Sequence, residues 1–487
     1  GHGGELGWTQ ERILELDQIN SWTNQHRLPL FMTATCKFSR FDDPEIKSAG
    51  EQVLLNPNGG AIALLSTTRL VYSSPNYNLN TKFIKTLFEK QNGETPRLGD
   101  IFKQTKILSG TAVNNRNFSL LGDPALKLAY PTYNIVTTSI VDTLNALMEV
   151  TISGEIQNDD SIRVSDFNGI VYPTVFDKKI IQTTLGQESC TEMPYRIQKN
   201  IIYKGQATVA NGVFSFSFVV PKDINYEYGN GKISYYAVNE GNNLFDANGY
   251  DDSFIIGGSA SGINYDYEDP NIELFLNNEN FVSGGITDEN PTLIAFLSDV
   301  SGINTVGNGI GHDIVAILDD NYSNPFVLND FYQASQDDYT EGKIEFPFYN
   351  LSPGKHTLSL KVWDVFNNSA EATITFFVND SDNFSISNFL NYPNPFSQVT
   401  QFYFEHNQTD RILSIDLNIY SVSGMRVANI NKTINENGYR IGPIDWSARD
   451  ESGKKIPAGI YLANLHVNTE NGNFVSKSIP IILLPEK

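Results

Sequence analysis

Gly1-His2-Gly3-Gly4-Glu5-Leu6-Gly7-Trp8 opens the chain, and Leu28-Pro29-Leu30-Phe31-Met32-Thr33-Ala34-Thr35-Cys36 follows it. The second stretch is an apolar run of strand length that ends in a cysteine. Between the two, Thr9 can cap a helix whose apolar positions Ile13, Leu16, Ile19 and Trp22 recur at near-helical spacing. A second buried strand, Ala61–Leu65, is expected after Asn58-Gly59-Gly60, and a helix from about Thr81 to Glu89. Strands joined by helical crossovers imply a parallel sheet, and such sheets carry their sites at the carboxyl ends of strands. Cys36 stands at such an end. Adjacent parallel strands would bring it to one sheet edge with His2, 34 residues upstream.

Covalent chemistry at a thiol needs a partly exposed cysteine, a histidine to exchange protons, and donors for the developing oxyanion. Here Cys36 would be the nucleophile and His2 the general acid/base, with the backbone N–H groups of Gly3 and Cys36 as the oxyanion hole. The glycines around His2 would let backbone approach a substrate closely. A competing reading stands beside this one: a cysteine after an apolar strand also serves as a small buried hydrophobe.

His2-Gly3-Gly4-Glu5-Leu6-Gly7-Trp8 resembles the His-Gly-x-Glu-x-x-Trp segment of gingipain-type cysteine peptidases. Thr33-Ala34-Thr35-Cys36 matches the position of their nucleophile, and Leu120-Leu121-Gly122-Asp123-Pro124-Ala125-Leu126 resembles their Gly-Asp-Pro segment. The resemblance implies a caspase-like α/β catalytic domain, present here as its C-terminal part over residues 1–130, with the dyad on His2 and Cys36. A third catalytic carboxylate would lie upstream, since the chain reads as starting inside that domain. Ser66-Thr67-Thr68-Arg69-Leu70-Val71-Tyr72 falls where the family builds its substrate pocket; Tyr72 would cover the substrate side chain or serve in packing.

Phe38-Ser39-Arg40-Phe41-Asp42-Asp43-Pro44 and Ser48-Ala49-Gly50-Glu51 look most like the type IX secretion sortases within that family, although Lys37 stands where an acidic residue is expected. That likeness implies a cell-surface, outer-membrane-associated enzyme. It would remove the C-terminal signal domain of exported cargo and link the new terminus to anionic lipopolysaccharide, with the outer-membrane barrel PorV as partner. Two alternatives stay open: a secreted gingipain-like protease that is itself cargo, and a catalytically silent surface adhesin or scaffold.

From Pro131 onward short alternating strands replace helical periodicity, with turn signals at Asn211-Gly212, Asn230-Gly231 and Asn248-Gly249. β-Sandwich-like domains are expected over residues 131–258 and 263–380. The boundaries fall at the small-residue stretch Gly257–Gly262, read as a flexible linker, and at the polar stretch Asn379–Asp382. Residues 385–487 resemble an Ig-like type IX secretion C-terminal domain, through Asn391-Tyr392-Pro393-Asn394-Pro395-Phe396, Leu417–Gly424, Asp445-Trp446 and Pro457–Leu462.

With 34 basic and 56 acidic residues, the net charge of −22 opposes binding to nucleic acid or anionic lipid. Two cysteines give no disulfide framework, and no stretch approaches the roughly 20 apolar residues that span a bilayer. Cys190 has no basic or histidine neighbour in sequence and is read as unreactive. His26, His312, His356, His406 and His466 lack metal-ligand spacing, so no metal site is expected. No cofactor is expected either. Asp246–Asp252 offers oxygen ligands suited to a structural Ca²⁺ but lacks the distal glutamate of a calcium loop, and reads better as a polar turn.

Overall fold

In this computed structural model the chain divides into two compact units, Gly1–Tyr130 and Pro131–Lys487. The structure describes residues 2–9, 13–90, 94–186, 190–240, 245–307, 311–378, 384, 386–406, 412–434, 439–470, 472 and 474–485.

The first unit is α/β. Its glycine-rich start folds into a small antiparallel sheet of β1 (Gly3–Gly4), β2 (Gly7–Trp8) and β3 (Leu14–Glu15), and α1 follows at Leu16–Asn20. The helix expected from Thr9 is therefore shorter and later. Residues 14 and 15 are taken by the hairpin sheet, Ile13 is exposed, and Glu15 caps α1 by exchanging bonds with Gln18. His2 accordingly precedes a hairpin, and not a strand of the main sheet as the spacing had suggested.

That main sheet contains β4 (Leu30–Met32), β5 (Ala63–Thr67) and β6 (Phe118–Leu121), ordered β4–β5–β6. β4 and β5 pair in parallel across α2 (Ala49–Leu55), as expected of a crossover, whereas β6 runs antiparallel to β5. β5 begins two residues later than the apolar run and ends two residues beyond it, where Ser66 and Thr67 are buried in the strand with their hydroxyls satisfied. Thr33 Oγ1 donates to Ser66 Oγ at 2.7 Å, and Thr67 Oγ1 donates to Thr35 O at 2.5 Å.

The predicted helix near Thr81 starts earlier, as α3 (Ser73–Leu87), with Pro75 accommodated in its first turn. Asn76, Leu79 and Phe83 form its buried face. α4 (Leu98–Ser109) has no counterpart in the sequence reading, although Leu98, Ile101 and Thr105 line its buried stripe. The Gly-Asp-Pro segment and the residues after it cap its N-terminus: the N–H groups of Leu98 and Gly99 donate to the carbonyls of Leu126 and Pro124 at 2.9 and 2.8 Å.

The second unit is built of strands. One sheet has a path running from Ile201–Lys204 through Gly169–Phe176, Lys232–Asn239, Asp246–Asp251, Tyr133–Ser139 and Glu149–Gln157 to Val213–Val219. Asn211-Gly212 makes the expected hairpin turn, with φ of 52° and 74°. Asn248-Gly249 does not turn: it lies inside Asp246–Asp251, paired on both sides, which also corrects the polar-turn reading of Asp246–Asp252. Asn230, too, sits in a ladder, opposite Ile255.

The linker reading of Gly257–Gly262 is corrected as well. Ile255–Ser259 is a strand paired with Gly229–Asn230 and Thr143–Ala146. Its glycines answer to crowding rather than flexibility. A Cβ on Gly257 would come within 2.8 Å of the Glu227 carbonyl, and one on Gly258 within 2.5 Å of the Tyr228 hydroxyl. A single hydrophobic core then runs from Ile135 to Val378, across both middle modules. Buried Asp223 fastens them, accepting from Asn304 Nδ2, Asn367 Nδ2 and His312 Nδ1 at 2.8, 2.8 and 2.7 Å.

The stretch Asn379–Asp382 lies outside the described residues. Beyond it, a three-stranded sheet (Ile386–Tyr392, Thr400–His406, Arg440–Trp446) and a four-stranded sheet (Arg426–Ile434, Leu413–Ser421, Gly459–Thr469, Phe474–Leu483) share a separate core. Tyr461 Oη donates to the Pro457 carbonyl at 2.7 Å, and Gly424, with φ of 84°, closes the Ser421–Met425 turn.

Candidate active site

Cys36 lies just past β4, on a segment that continues alongside β5 through single backbone bonds. The N–H groups of Thr33, Lys37 and Ser39 donate to the carbonyls of Leu65, Arg69 and Thr67 at 3.0, 3.3 and 2.9 Å. Lys37 turns the chain in the left-handed region, with φ of 52°, immediately after the cysteine. The partly buried Sγ faces the backbone of Val71, whose N–H approaches at 3.5 Å and whose carbonyl lies at 3.7 Å. Two asparagines position that facing segment, and a third holds the segment that carries Cys36. Asn114 takes both backbone groups of Tyr72, at 2.9 and 2.6 Å; Asn117 Nδ2 donates to the Leu70 carbonyl; and Asn76 Nδ2 donates to the Ala34 carbonyl. The sequence reading passed over them, although the cluster Asn114, Asn115 and Asn117 was a visible signal.

The histidine loop reaches this segment at Gly3. A Cβ built on Gly3 would lie 2.2 Å from Thr35 Oγ1, so loop backbone and the residue before Cys36 are in direct contact. The Thr9 N–H donates to the His2 carbonyl at 2.8 Å, which makes Gly3 and Trp8 a non-hydrogen-bonded pair. The Gly3 N–H is thereby left out of the hairpin ladder, as an oxyanion donor requires. His2 itself is exposed. Trp8 supplies the apolar anchor: its ring stacks on Phe31 with centroids 5.2 Å apart and lies 5.8 Å from Phe38, so it spans both sides of the nucleophile segment. Buried Trp8 Nε1, Thr9 Oγ1, Thr35 Oγ1 and Ser39 Oγ have no hydrogen-bond partner among the described residues.

Charged side chains tie the same parts together. Glu5 Oε1 accepts from Arg40 Nη1 at 2.7 Å and lies 3.5 Å from Lys37 Nζ, and the Arg40 guanidinium holds the Glu5 carboxyl below its usual range. Arg69 forks onto Asp42, drawing that carboxyl down to about 2. Asp42 is thus an ion-pair partner on the loop beyond Cys36. Tyr72 is 70% exposed.

Other candidates sit apart from this chemistry. Cys190 is an exposed free thiol. His312 and His356 each pair with one aspartate, Asp223 and Asp319 respectively. One carboxylate group, Asp266, Asp299 and Asp364, has ligand atoms within 4.8 Å of one another and could hold a cation. Burial, reinforced by the neighbouring carboxylates, pushes Asp299 up to about 7. Asp251, from the calcium-like stretch, is held instead by the Ser253 N–H and hydroxyl.

No curated protein matches the chain. Among solved structures, latent dimeric PorU from Porphyromonas gingivalis is 29% identical over 88% of this chain and 41% of that one, with a TM-score of 0.34. The complex of RgpB pro- and mature domains from the same organism is 15% identical over 51% of this chain and 52% of that one, with a TM-score of 0.24. The chain therefore spans less than half the length of the PorU chain it matches. Residues 1–129 of the chain match the model of peptidase family C25.

Proposed function

We propose that this chain is the C-terminal part of a PorU-like sortase. It would cleave the C-terminal signal domain from type IX secretion cargo and pass the new terminus to water or to an amine on anionic lipopolysaccharide. The head would then be the C-terminal part of a caspase-like domain, working at the cell surface on the outer membrane. The observation that carries this reading is the contact of Gly3 with Thr35, which sets the histidine loop beside the nucleophile segment within a C25 head.

In that reading the Cys36 sulfur, as thiolate, attacks the scissile carbonyl carbon, and the oxyanion accepts hydrogen bonds from the N–H groups of Gly3 and Cys36. The C–N bond breaks as His2 delivers a proton to the departing amine, leaving a thioester on Cys36. Water or an acceptor amine then attacks the thioester, His2 takes its proton, and the C–S bond breaks to free the enzyme. The exposed ring of Tyr72 would cover the substrate side chain. No metal or cofactor is required for these steps. The Ig-like module from about residue 385 would stay attached and dock on PorV, since a processing enzyme must remain where its substrates emerge.

A Cys36→Ala variant of the complete protein tests the chemistry: signal-domain removal should fall by several orders of magnitude, as when a nucleophile is lost. Removal at the normal rate would end the reading. Intact mass of the protein recovered from the cell surface tests the module. A product ending before Asn391 would favour the secreted-protease alternative instead.

A further inference from the structure

We propose that Glu5 is a positioning residue, an ionic clasp that holds the histidine loop in register with the nucleophile turn; this rests on the dyad reading above. The loop from His2 to Thr9 has several attachments besides the contact of Gly3 with Thr35 and the pairing of β2 with β3. The Thr9–His2 bond closes the hairpin on itself, and the Trp8 ring grips Phe31 and Phe38. Of these, only the Trp8 ring reaches the turn just beyond Cys36, through Phe38 and by apolar contact alone. Glu5 holds the loop from both its ends. Its carboxylate takes Arg40 at 2.7 Å and Lys37 at 3.5 Å, and its carbonyl accepts the Ala49 N–H at 2.7 Å, at the start of the helix that follows.

Lys37 is the residue next to the nucleophile and sits in the left-handed region, so its ammonium contact bears on the backbone that aims Cys36. Arg40 has a second partner, Asp43, at 3.3 Å. Removing the Glu5 carboxylate therefore leaves Arg40 held and the turn folded, and frees only the loop. Both partners are partly exposed, with 20% of the Glu5 side chain and 35% of that of Arg40 accessible, so salt should screen the clasp. A misplacement of about 1 Å at a reacting group can cost on the order of 10²-fold in rate, so a loosened loop should register in turnover well before it registers in stability.

The test uses the full-length protein with Glu5→Gln, Glu5→Ala and Cys36→Ala variants. Glu5→Ala should lower kcat by about 10-fold or more with KM nearly unchanged, and Glu5→Gln, which can still accept from Arg40, should fall between it and the parent. Turnover of the parent should drop as salt rises from about 0.05 to 0.5 M, and that dependence should be weaker in Glu5→Ala. Hydrogen exchange supplies an arm independent of catalysis: the Thr9 and Ala49 amides should exchange faster in Glu5→Ala while α4 amides do not change. Parent-like turnover, salt dependence and exchange in Glu5→Ala would overturn the clasp with the dyad left standing. Full activity of Cys36→Ala would overturn the dyad reading, and the exchange arm alone would then decide whether Glu5 holds the loop.

Discussion

Gly3→Ala puts the contact between the two loops under direct strain. The added methyl would sit 2.2 Å from Thr35 Oγ1, 2.9 Å from its Cγ2 and 3.1 Å from its Cβ. Favourable carbon contacts begin at about 3.5 Å, so something must move by more than 1 Å. Backbone conformation is not the obstacle, since Gly3 is not among the residues with positive φ. Overpacking of this kind typically costs about 1–3 kcal/mol, and taking it up by displacing the histidine loop should cost about 10- to 100-fold in turnover. Thr35→Ala removes the two closest atoms. The hydroxyl it deletes is buried with no partner among the described residues, so the single variant should lose about 1 kcal/mol or less for the missing methyl. In Gly3→Ala/Thr35→Ala the remaining contact is 3.1 Å, a gap that a shift of a few tenths of an ångström closes. The double variant should accordingly recover most of the activity lost by Gly3→Ala, a coupling of about 1–3 kcal/mol in its favour. Turnover of a signal-bearing substrate, with urea midpoints as a check on folding, would measure the cycle. Parent-like Gly3→Ala, or a double variant no better than it, would refute the loop contact as drawn.

Asp223→Ala should destabilise the β-rich unit by about 2–4 kcal/mol, because the two asparagine amides and the histidine that share this buried acceptor lose it; an unchanged urea midpoint would show that the modules do not depend on it. Stability of the same unit should fall as pH rises from about 4 towards 7, by at most about 1.4 kcal/mol per pH unit. In that window native Asp299, raised to about 7, keeps a proton that its unfolded form has released, and a flat profile would contradict the burial that raises it. Lys37→Gly should be tolerated in folding and Lys37→Val should cost about 1–2 kcal/mol, since φ of 52° suits glycine and opposes a β-branched side chain; equal midpoints for the two would refute the strained turn. In competitive alkylation, exposed Cys190 has no basic or histidine neighbour in the sequence to lower its pKa, so Cys36 should react faster. Equal or reversed rates would favour a silent scaffold.

Legibility followed the range of the interaction. Patterns over neighbouring residues carried well: the Met32-to-Cys36 approach, the α2 crossover and the Asn211-Gly212 turn are each encoded within a few positions, and the structure places them accordingly. The first helix was misjudged because periodicity at Ile13 and Leu16 cannot reveal that Leu14 and Glu15 are claimed by a hairpin. α3 was started eight residues late because Ser73-Ser74-Pro75-Asn76 has the composition of a loop, and only burial of Asn76 beneath the Ala34 carbonyl makes sense of an asparagine there.

The glycines show why composition misleads in both directions. Gly257 and Gly258 read as a linker, yet they are packed so closely against Glu227 and Tyr228 that a side chain has no room. Gly3 was read as a place where backbone approaches a substrate, and the neighbour that a side chain there would meet is Thr35. Close approach is a property of the residue opposite, which for these glycines is far away in sequence, and no local window contains it. The same holds for Glu5. In sequence it is one acidic residue among 56, and its importance arises only when folding sets it against Arg40 and Lys37. Candidate catalytic residues are therefore easier to nominate from a chain than the contacts that would align them, because chemistry restricts the residue type while alignment restricts only the pair.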